Sequence, residues 1–163
     1  MRTLLPLLLL AAACTQGGPD SPIMRQATGT ALAVAPPEEL NYHPDLQVEI
    51  AAMRKLPSGV LLQDLVDGAG DSVAAGTTVL VRYSGWLPDG TLFDSNADAT
   101  PFQFRVGAGM VIPGWDDGLV GMKTGGRRKL VIPPDLGYGA DGMDVIPPNA
   151  TLVFDVEVLE IRR

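Results

Sequence analysis

Residues 151–161 read TLVFDVEVLEI, and their side chains alternate: Leu152, Phe154, Val156 and Val158 share one face while Asp155 and Glu157 share the other. Neighbouring side chains of an extended chain point to opposite faces, so this period of two predicts a half-buried β-strand. The pattern recurs on either side of it. Val60, Leu62 and Val66 alternate, Phe102, Phe104 and Val106 alternate against Gln103 and Arg105, and Thr78–Trp86 and Lys129–Ile132 read as two further strands. Pro88-Asp89-Gly90 supplies a hairpin turn after Trp86. One stretch has helical spacing instead. Trp115, Leu119 and Met122 fall at i, i+4 and i+7, opened by Pro113-Gly114, with Asp116 and Asp117 in the first turn where carboxylates suit the helix dipole. Gly118 and Gly121 shorten it. The expectation is an α+β unit over residues 58–163: an antiparallel sheet of about five strands packing one face against one short helix.

Upstream of this unit the chain changes character. Residues 1–13 have a basic start at Arg2, an apolar stretch from Leu4 to Ala13 interrupted by Pro6, and three alanines directly before Cys14. That is the pattern of a secretory signal peptide, too short to span a bilayer. The segment resembles a bacterial lipoprotein signal, with Ala11 where such signals usually carry Leu, Val or Ile. The resemblance implies export to the cell envelope, lipidation at Cys14 and anchoring to a membrane. Plain secretion of a soluble protein, with Cys14 left as a spare thiol, is the alternative. Residues 14–57 are expected to form a tether. Gly, Pro, Ser, Thr and Ala dominate from Thr15 to about Asn41, and Leu46, Ile50 and Met53 at i, i+4 and i+7 predict a short helix over 45–56 stopped by Pro57. His43, the only histidine, reads as a solvated loop residue and not as a catalytic base.

Composition narrows the chemistry further. The 163 residues are 46% hydrophobic and 19% charged, which excludes a largely disordered chain, while 19 Gly and 14 Pro announce many turns. Twelve Lys+Arg against 19 Asp+Glu leave a net charge of −7, and Arg127-Arg128-Lys129 is the one basic run, so nucleic acid is not expected as a partner. One Cys and one His exclude an intrachain disulfide framework and a His/Cys metal site. Neither residue falls in 58–163, so Ser-His-Asp and Cys-His nucleophiles are not available to that unit. Gly107-Ala108-Gly109 lacks the third glycine of a dinucleotide fingerprint, and Lys123-Thr124 precedes a glycine pair where a phosphate loop would need to follow one. No cofactor and no metal are expected. What remains is aromatic: Tyr83, Trp86, Phe93, Phe102, Phe104, Trp115 and Tyr138 fall within 56 residues, interleaved with Asp94, Val111 and Ile112. Any one of these rings is explained by core filling. As a set they exceed what so small a core needs, and they point to a concave pocket for an apolar or proline-containing ligand.

Four blocks carry a resemblance. VRYSGWLPDGTLFDSN (81–96), PFQFRVGAGMVIPGWDDGLVGMKTGGRRKLVIP (101–133), YGADG (138–142) and VIPPNATLVFDVEVLEI (145–161) together resemble the FKBP-type peptidyl-prolyl cis-trans isomerases, in order and over essentially all of 58–163. The resemblance implies a half-barrel of antiparallel strands wrapped on the short helix, with the active pocket between them. Its pocket residues map onto Tyr83, Phe93, Asp94, Phe102, Val111, Ile112, Trp115, Tyr138 and Phe154, with Val145 and Ile146 in an overhanging substrate-binding loop. It implies Trp115 as the floor, and Tyr138 with the Ile112 N–H as donors to ligand carbonyls. Proline-containing polypeptide clients, macrolide inhibitors and a monomeric state are implied likewise. Two departures stand out. The loop between Asp94 and Phe102 is one residue shorter than in the common small members and supplies no arginine to pair with Asp94, and Met143-Asp144 stand where many members carry a His-Pro pair. A non-catalytic holdase, or an adaptor recognising one proline-containing loop, would use the same pocket without turnover.

Overall fold

The computed structural model describes residues 34–162, so the readings of the signal peptide, of Cys14 and of the first part of the tether lie outside the described residues. The strands are β1 (Arg54–Lys55), β2 (Leu61–Val66), β3 (Ala69–Ser72), β4 (Thr78–Trp86), β5 (Leu92–Ser95), β6 (Phe102–Arg105), β7 (Lys123–Thr124), β8 (Arg127–Ile132) and β9 (Leu152–Arg162). One α-helix, α1 (Pro113–Gly118), lies between β6 and β7. The main sheet has seven strands in the order β1-β2-β8-β9-β4-β5, with β6 also on β4, while β3 and β7 form a separate pair. All pairings are antiparallel. β4 organises the sheet. One edge pairs with β9 from Thr78↔Arg162 to Trp86↔Val153, while the other is divided between β6 at Thr78–Val81 and β5 at Ser84–Trp86.

The α+β class is as expected, and the strand alternation sorts side chains as read. Leu152, Phe154, Val156 and Val158 are buried on the face that carries α1. The register of β9 against β4 shifts between Val81↔Val158 and Leu80↔Glu160, so Leu159 is an extra residue, a β-bulge. The bulge returns Ile161 to the side of the main core that the simple period would have turned away.

The opposite face is not bare, which the sequence reading did not foresee. Leu61, Val131 and Val153 are buried there together with Leu46, and Tyr42, Val48, Ile50, Met53 and Trp86 pack around them. The segment that covers them is the one expected to form a helix over 45–56. It makes two 3-10 turns, Pro44–Leu46 and Ile50–Ala52, because Gln47 takes a left-handed conformation (φ 49°) that no helix can continue through. The helical spacing of Leu46, Ile50 and Met53 is thus met by a strap laid across a sheet. Its two ends are tied. The His43 N–H donates to the Pro88 carbonyl at 2.8 Å, the Tyr42 hydroxyl donates to the Pro37 carbonyl at 2.7 Å, and Lys55 pairs with Glu38.

On the main-core face α1 is only six residues long, ending at Gly118 where the sequence spacing had run on to Met122. Leu119 and Met122 are still buried, but in a turn that Gly121 (φ 84°) allows. The helix rests on β8 at backbone distance. A Cβ added at Gly114 would overlap Ile132, and one at Gly118 would sit 2.8 Å from a Leu130 methyl. Arg128, 4% exposed, closes the helix end: its guanidinium donates to Gly118 O at 2.7 Å, Val120 O at 3.1 Å and Asp64 Oδ1 at 2.6 Å. The Gly118 carbonyl has no partner of its own within so short a helix.

Gly118→Ala tests this contact. Alanine gains about 1 kcal/mol of intrinsic helix propensity over glycine, yet forcing a methyl into the Leu130 contact is expected to cost ~1–3 kcal/mol. Urea unfolding should therefore show a net loss of stability, and a gain would mean the helix can lift off β8 freely.

Candidate functional site

A cleft of about 210 Å³ opens where α1, β4, β5 and β6 meet the loops before α1 and after β8. It is lined by Tyr83, Phe93, Asp94, Phe102, Val111, Ile112, Trp115, Tyr138 and Phe154, together with Met110. The structure thus brings together the nine residues that the resemblance mapped to the pocket. Val145 and Ile146 do not line it. They belong to a tight turn closed by reciprocal Met143 and Ile146 backbone hydrogen bonds of 3.0 and 2.8 Å, with Val145 64% exposed at its tip and Ile146 turned into the main core. Cys14 lies outside the described residues.

Trp115 forms the bottom of the cleft, 4% exposed. Tyr83 and Phe154 meet its ring edge-on, with centroids at 5.0 and 5.3 Å and interplanar angles of 82° in both cases, and Phe104 supports it at 5.7 Å. Phe93 stands edge-on to Phe154 at 5.4 Å and 89°. These T-shaped arrangements place ring edges on ring faces and fix the wall geometry. The register explains how the wall fits. Gly85 of β4 faces Phe154 of β9, and a Cβ there would lie 2.6 Å from Phe154 and 2.8 Å from Phe93. Glycine at this place gives the two rings their seat.

Several polar groups line this aromatic-walled cleft. Asp94 accepts from the Tyr83 hydroxyl at 2.7 Å, and no Lys, Arg or His among the described residues forms an ion pair with it. The Tyr138 hydroxyl and the Ile112 N–H have no hydrogen-bond partner among the described residues. The indole N–H of Trp115 is buried and likewise unpaired. Only the Trp115 N–H is fully buried among these; the half-exposed Tyr138 and Ile112 donors face the open cleft, where solvent or a ligand carbonyl can accept from them. Nothing in the cleft resembles a nucleophile with a base to activate it. His43 lies outside it, on the strap, with its ring against Gly90 and Nδ1 accepting from the Asp45 N–H at 3.3 Å.

Two residues missed in the sequence hold the walls in place. Asn96, buried, fills the gap between β5 and β6: its side chain accepts from the Tyr83 N–H at 2.7 Å and donates to the Val81 carbonyl at 3.1 Å. It substitutes for the missing strand and keeps Tyr83 in register. Asp116, read as a helix-dipole carboxylate, also accepts from the N–H groups of Gly107 and Gly109 at 2.7 and 3.1 Å, pinning the loop that leads into Met110–Ile112. Met110 itself, 61% exposed at the cleft edge, had no periodicity to betray it.

The comparisons with known proteins agree with this geometry. The family model for FKBP-type peptidyl-prolyl cis-trans isomerases matches residues 70–159. A protein named FK506-binding protein from Neisseria meningitidis serogroup B is 50% identical over 105 residues, which is 63% of this chain and 96% of that protein. Among solved structures, FkpA from Escherichia coli superposes with a TM-score of 0.63 at 44% identity, covering 68% of this chain and 52% of that one. A peptidyl-prolyl cis-trans isomerase from Pseudomonas syringae pv. tomato gives a TM-score of 0.64 at 37% identity, covering 74% and 87%.

The cleft environment has a titration signature. Burial pushes the phenol of Tyr83 up, helped by its hydrogen bond to Asp94, and burial with the Asp94 charge does the same to Tyr138. Tyr42, at the start of the strap, is raised by burial and by the Glu38 charge. All three tyrosines of the chain are therefore held protonated beyond the usual value of about 10. A raised folded-state value means stability that is complete below about pH 10 and lost as pH climbs past it. Spectrophotometric titration should show tyrosinate forming at higher pH in the folded protein than in urea. Coincident curves would contradict the burial described.

Proposed function

The chain belongs to the FKBP-type peptidyl-prolyl cis-trans isomerases, and on that premise we propose that its cleft turns X–Pro bonds in clients of the cell envelope, seating the proline ring on Trp115. The barrier to be lowered comes from amide resonance, ~18–20 kcal/mol, and leaves uncatalysed X–Pro exchange at about tens to hundreds of seconds. No bond is made or broken, so no nucleophile is required. The planar amide carries the larger charge separation and loses more by leaving water. A cavity walled by Trp115, Tyr83, Phe93 and Phe154 therefore penalises the planar form more than the twisted one. The unpaired Tyr138 hydroxyl and Ile112 N–H hold the carbonyls of the flanking chain while the bond turns. The observation that carries this reading is the conjunction of a buried aromatic floor with free donors at its edge. Macrolides of the kind named for the curated relatives would compete for the same cleft.

Location rests on the sequence before residue 34. Arg2, the apolar run and the alanines before Cys14 support export and acylation at that cysteine. Two or more acyl chains would hold the protein stably at a membrane where one would not. The domain would then meet clients as they fold beyond the cytoplasm. Cys14→Ser should move the protein from the membrane to the soluble fraction while the isomerase rate stays unchanged. Continued membrane association would favour an uncleaved apolar segment.

Isomerisation of a short X–Pro peptide by the purified protein tests the reaction, and two variants test the site. Tyr138→Phe deletes a hydroxyl that no other described residue hydrogen-bonds, so the unfolding midpoint should hold. Loss of one ligand hydrogen bond worth ~0.5–1.5 kcal/mol should lower kcat/KM by roughly 2- to 13-fold. Phe93→Ala should cost both activity and stability, at or below the ~3–5 kcal/mol of a fully buried Phe, because Phe93 is half-buried. Activity that fell only with the unfolded fraction in both variants would make these rings plain core and bring the holdase reading forward.

A further inference from the structure

Among the described residues Asp94 is the only charged one that lines the cleft, and none of them forms an ion pair with it. Its Oδ2 accepts the Tyr83 hydroxyl, a neutral partner. The basic side chains nearby in sequence or on the sheet are committed elsewhere. Arg82 follows the strand alternation to the face opposite Tyr83, and Arg105 donates to the Gly76 carbonyl at 3.0 Å. Arg127 and Lys129 pair with Asp155, and Arg128 pairs with Asp64. The loop that follows β5, Asn96-Ala97-Asp98-Ala99-Thr100-Pro101, adds another carboxylate and no cation.

We propose that Asp94 makes the isomerase select prolines preceded by lysine or arginine. The inference rests on the isomerase reading of the cleft and adds the class of client it prefers. Geometry brings the charge within reach. Trp115 lies 5.0 Å from the Tyr83 ring, and that ring carries Asp94 on its hydroxyl, so the carboxylate stands one phenol away from the seat of the proline. The four-carbon stem of a lysine before the proline spans such a gap. It can lie along Phe102, which is partly exposed at the cleft edge, and deliver its ammonium to the free oxygen of Asp94. An arginine gains the same ion pair and can also stack on Phe102 or Tyr83. A glutamate in that place meets a like charge with nothing to screen it but solvent. The raised phenol of Tyr138, to which the Asp94 charge contributes, is consistent with a field that extends across the cleft.

The test uses the purified protein and peptides that differ only in the residue before proline: lysine, norleucine, which keeps the stem without the amine, and glutamate. An ion pair at a partly exposed carboxylate should give kcat/KM for lysine about 5-fold above norleucine, and glutamate below it by a similar factor. The lysine advantage should shrink as salt is added. In Asp94→Asn, which retains an acceptor for Tyr83, the lysine-to-norleucine ratio should fall to about 1 whatever the absolute rate. If that variant turns over too slowly, the same ratio is read from peptide binding by tryptophan fluorescence, with Trp115 as the reporter. Equal rates for lysine and norleucine in the unaltered protein would overturn the proposal. A ratio that survives Asp94→Asn would assign the preference to the net charge of the chain and overturn it equally. Failure to isomerise any of the three peptides would instead defeat the isomerase reading.

Discussion

A helix of six residues does not hold itself in water: too few backbone hydrogen bonds repay the cost of fixing its first turn. Everything at the cleft depends on how α1 is nevertheless kept in place. Gly114 and Gly118 lie one turn apart and let the helix backbone descend onto Ile132 and Leu130. The Arg128 guanidinium reaches from β8 to its last carbonyls, and Asp116 reaches from its outer side to the glycine loop before it. Between these ties Trp115 is left with one orientation, its ring enclosed by Tyr83, Phe104 and Phe154. A larger side chain at either glycine would raise the helix and with it the floor of the cavity.

The sheet answers the same demand from the other side. Its edge at β4 is served by two short strands separated by a gap, and an unfilled gap would leave the Tyr83 N–H and the Val81 carbonyl unpaired. Asn96 closes it with both ends of its amide. The interruption lets the chain change direction between Asp94 and Phe102, so that both side chains reach one cavity from a single edge. Buried charge is handled with similar economy. Arg128 and Lys129, 4% and 3% exposed, point to opposite faces of β8 and find Asp64 and Asp155 within 2.6 Å. Removing either carboxylate would strand a cation, the costly way to break such a pair.

Alternation made the long strands legible, because burial on one face writes itself into the sequence at every second residue. It could not reveal Val153, which is buried on the outer face by a strap whose own spacing imitates a helix. It could not place the bulge at Leu159, and it passed over β3 and β7, whose residues are exposed and carry no apolar pattern. At the cleft, composition singled out the aromatics as a group but could not separate wall from core: Phe104 and Trp86 belong to the same cluster in sequence yet sit outside the lining. The mapping of particular residues came from the resemblance. Met110 and Asn96 escaped both routes, since an exposed methionine and an asparagine in a loop acquire their meaning only from the register of strands far from them in the chain. Ile146 shows the converse, a residue placed in an overhang by analogy whose side chain fills the core because a two-residue turn ends just before it.

The strap also has a mechanical meaning. Residues 42–53 lie on the face of the sheet away from the cleft and are stitched to the β4–β5 turn through His43 and Pro88. A pull entering from the N-terminal side meets buried Pro37 and the Glu38–Lys55 pair, then the apolar contacts of the strap on the back of the sheet. The strap acts as a strain relief of the kind that protects a cable where it enters an instrument. Leu46 and its neighbours lie between such a pull and β1, the first strand of the sheet in chain order.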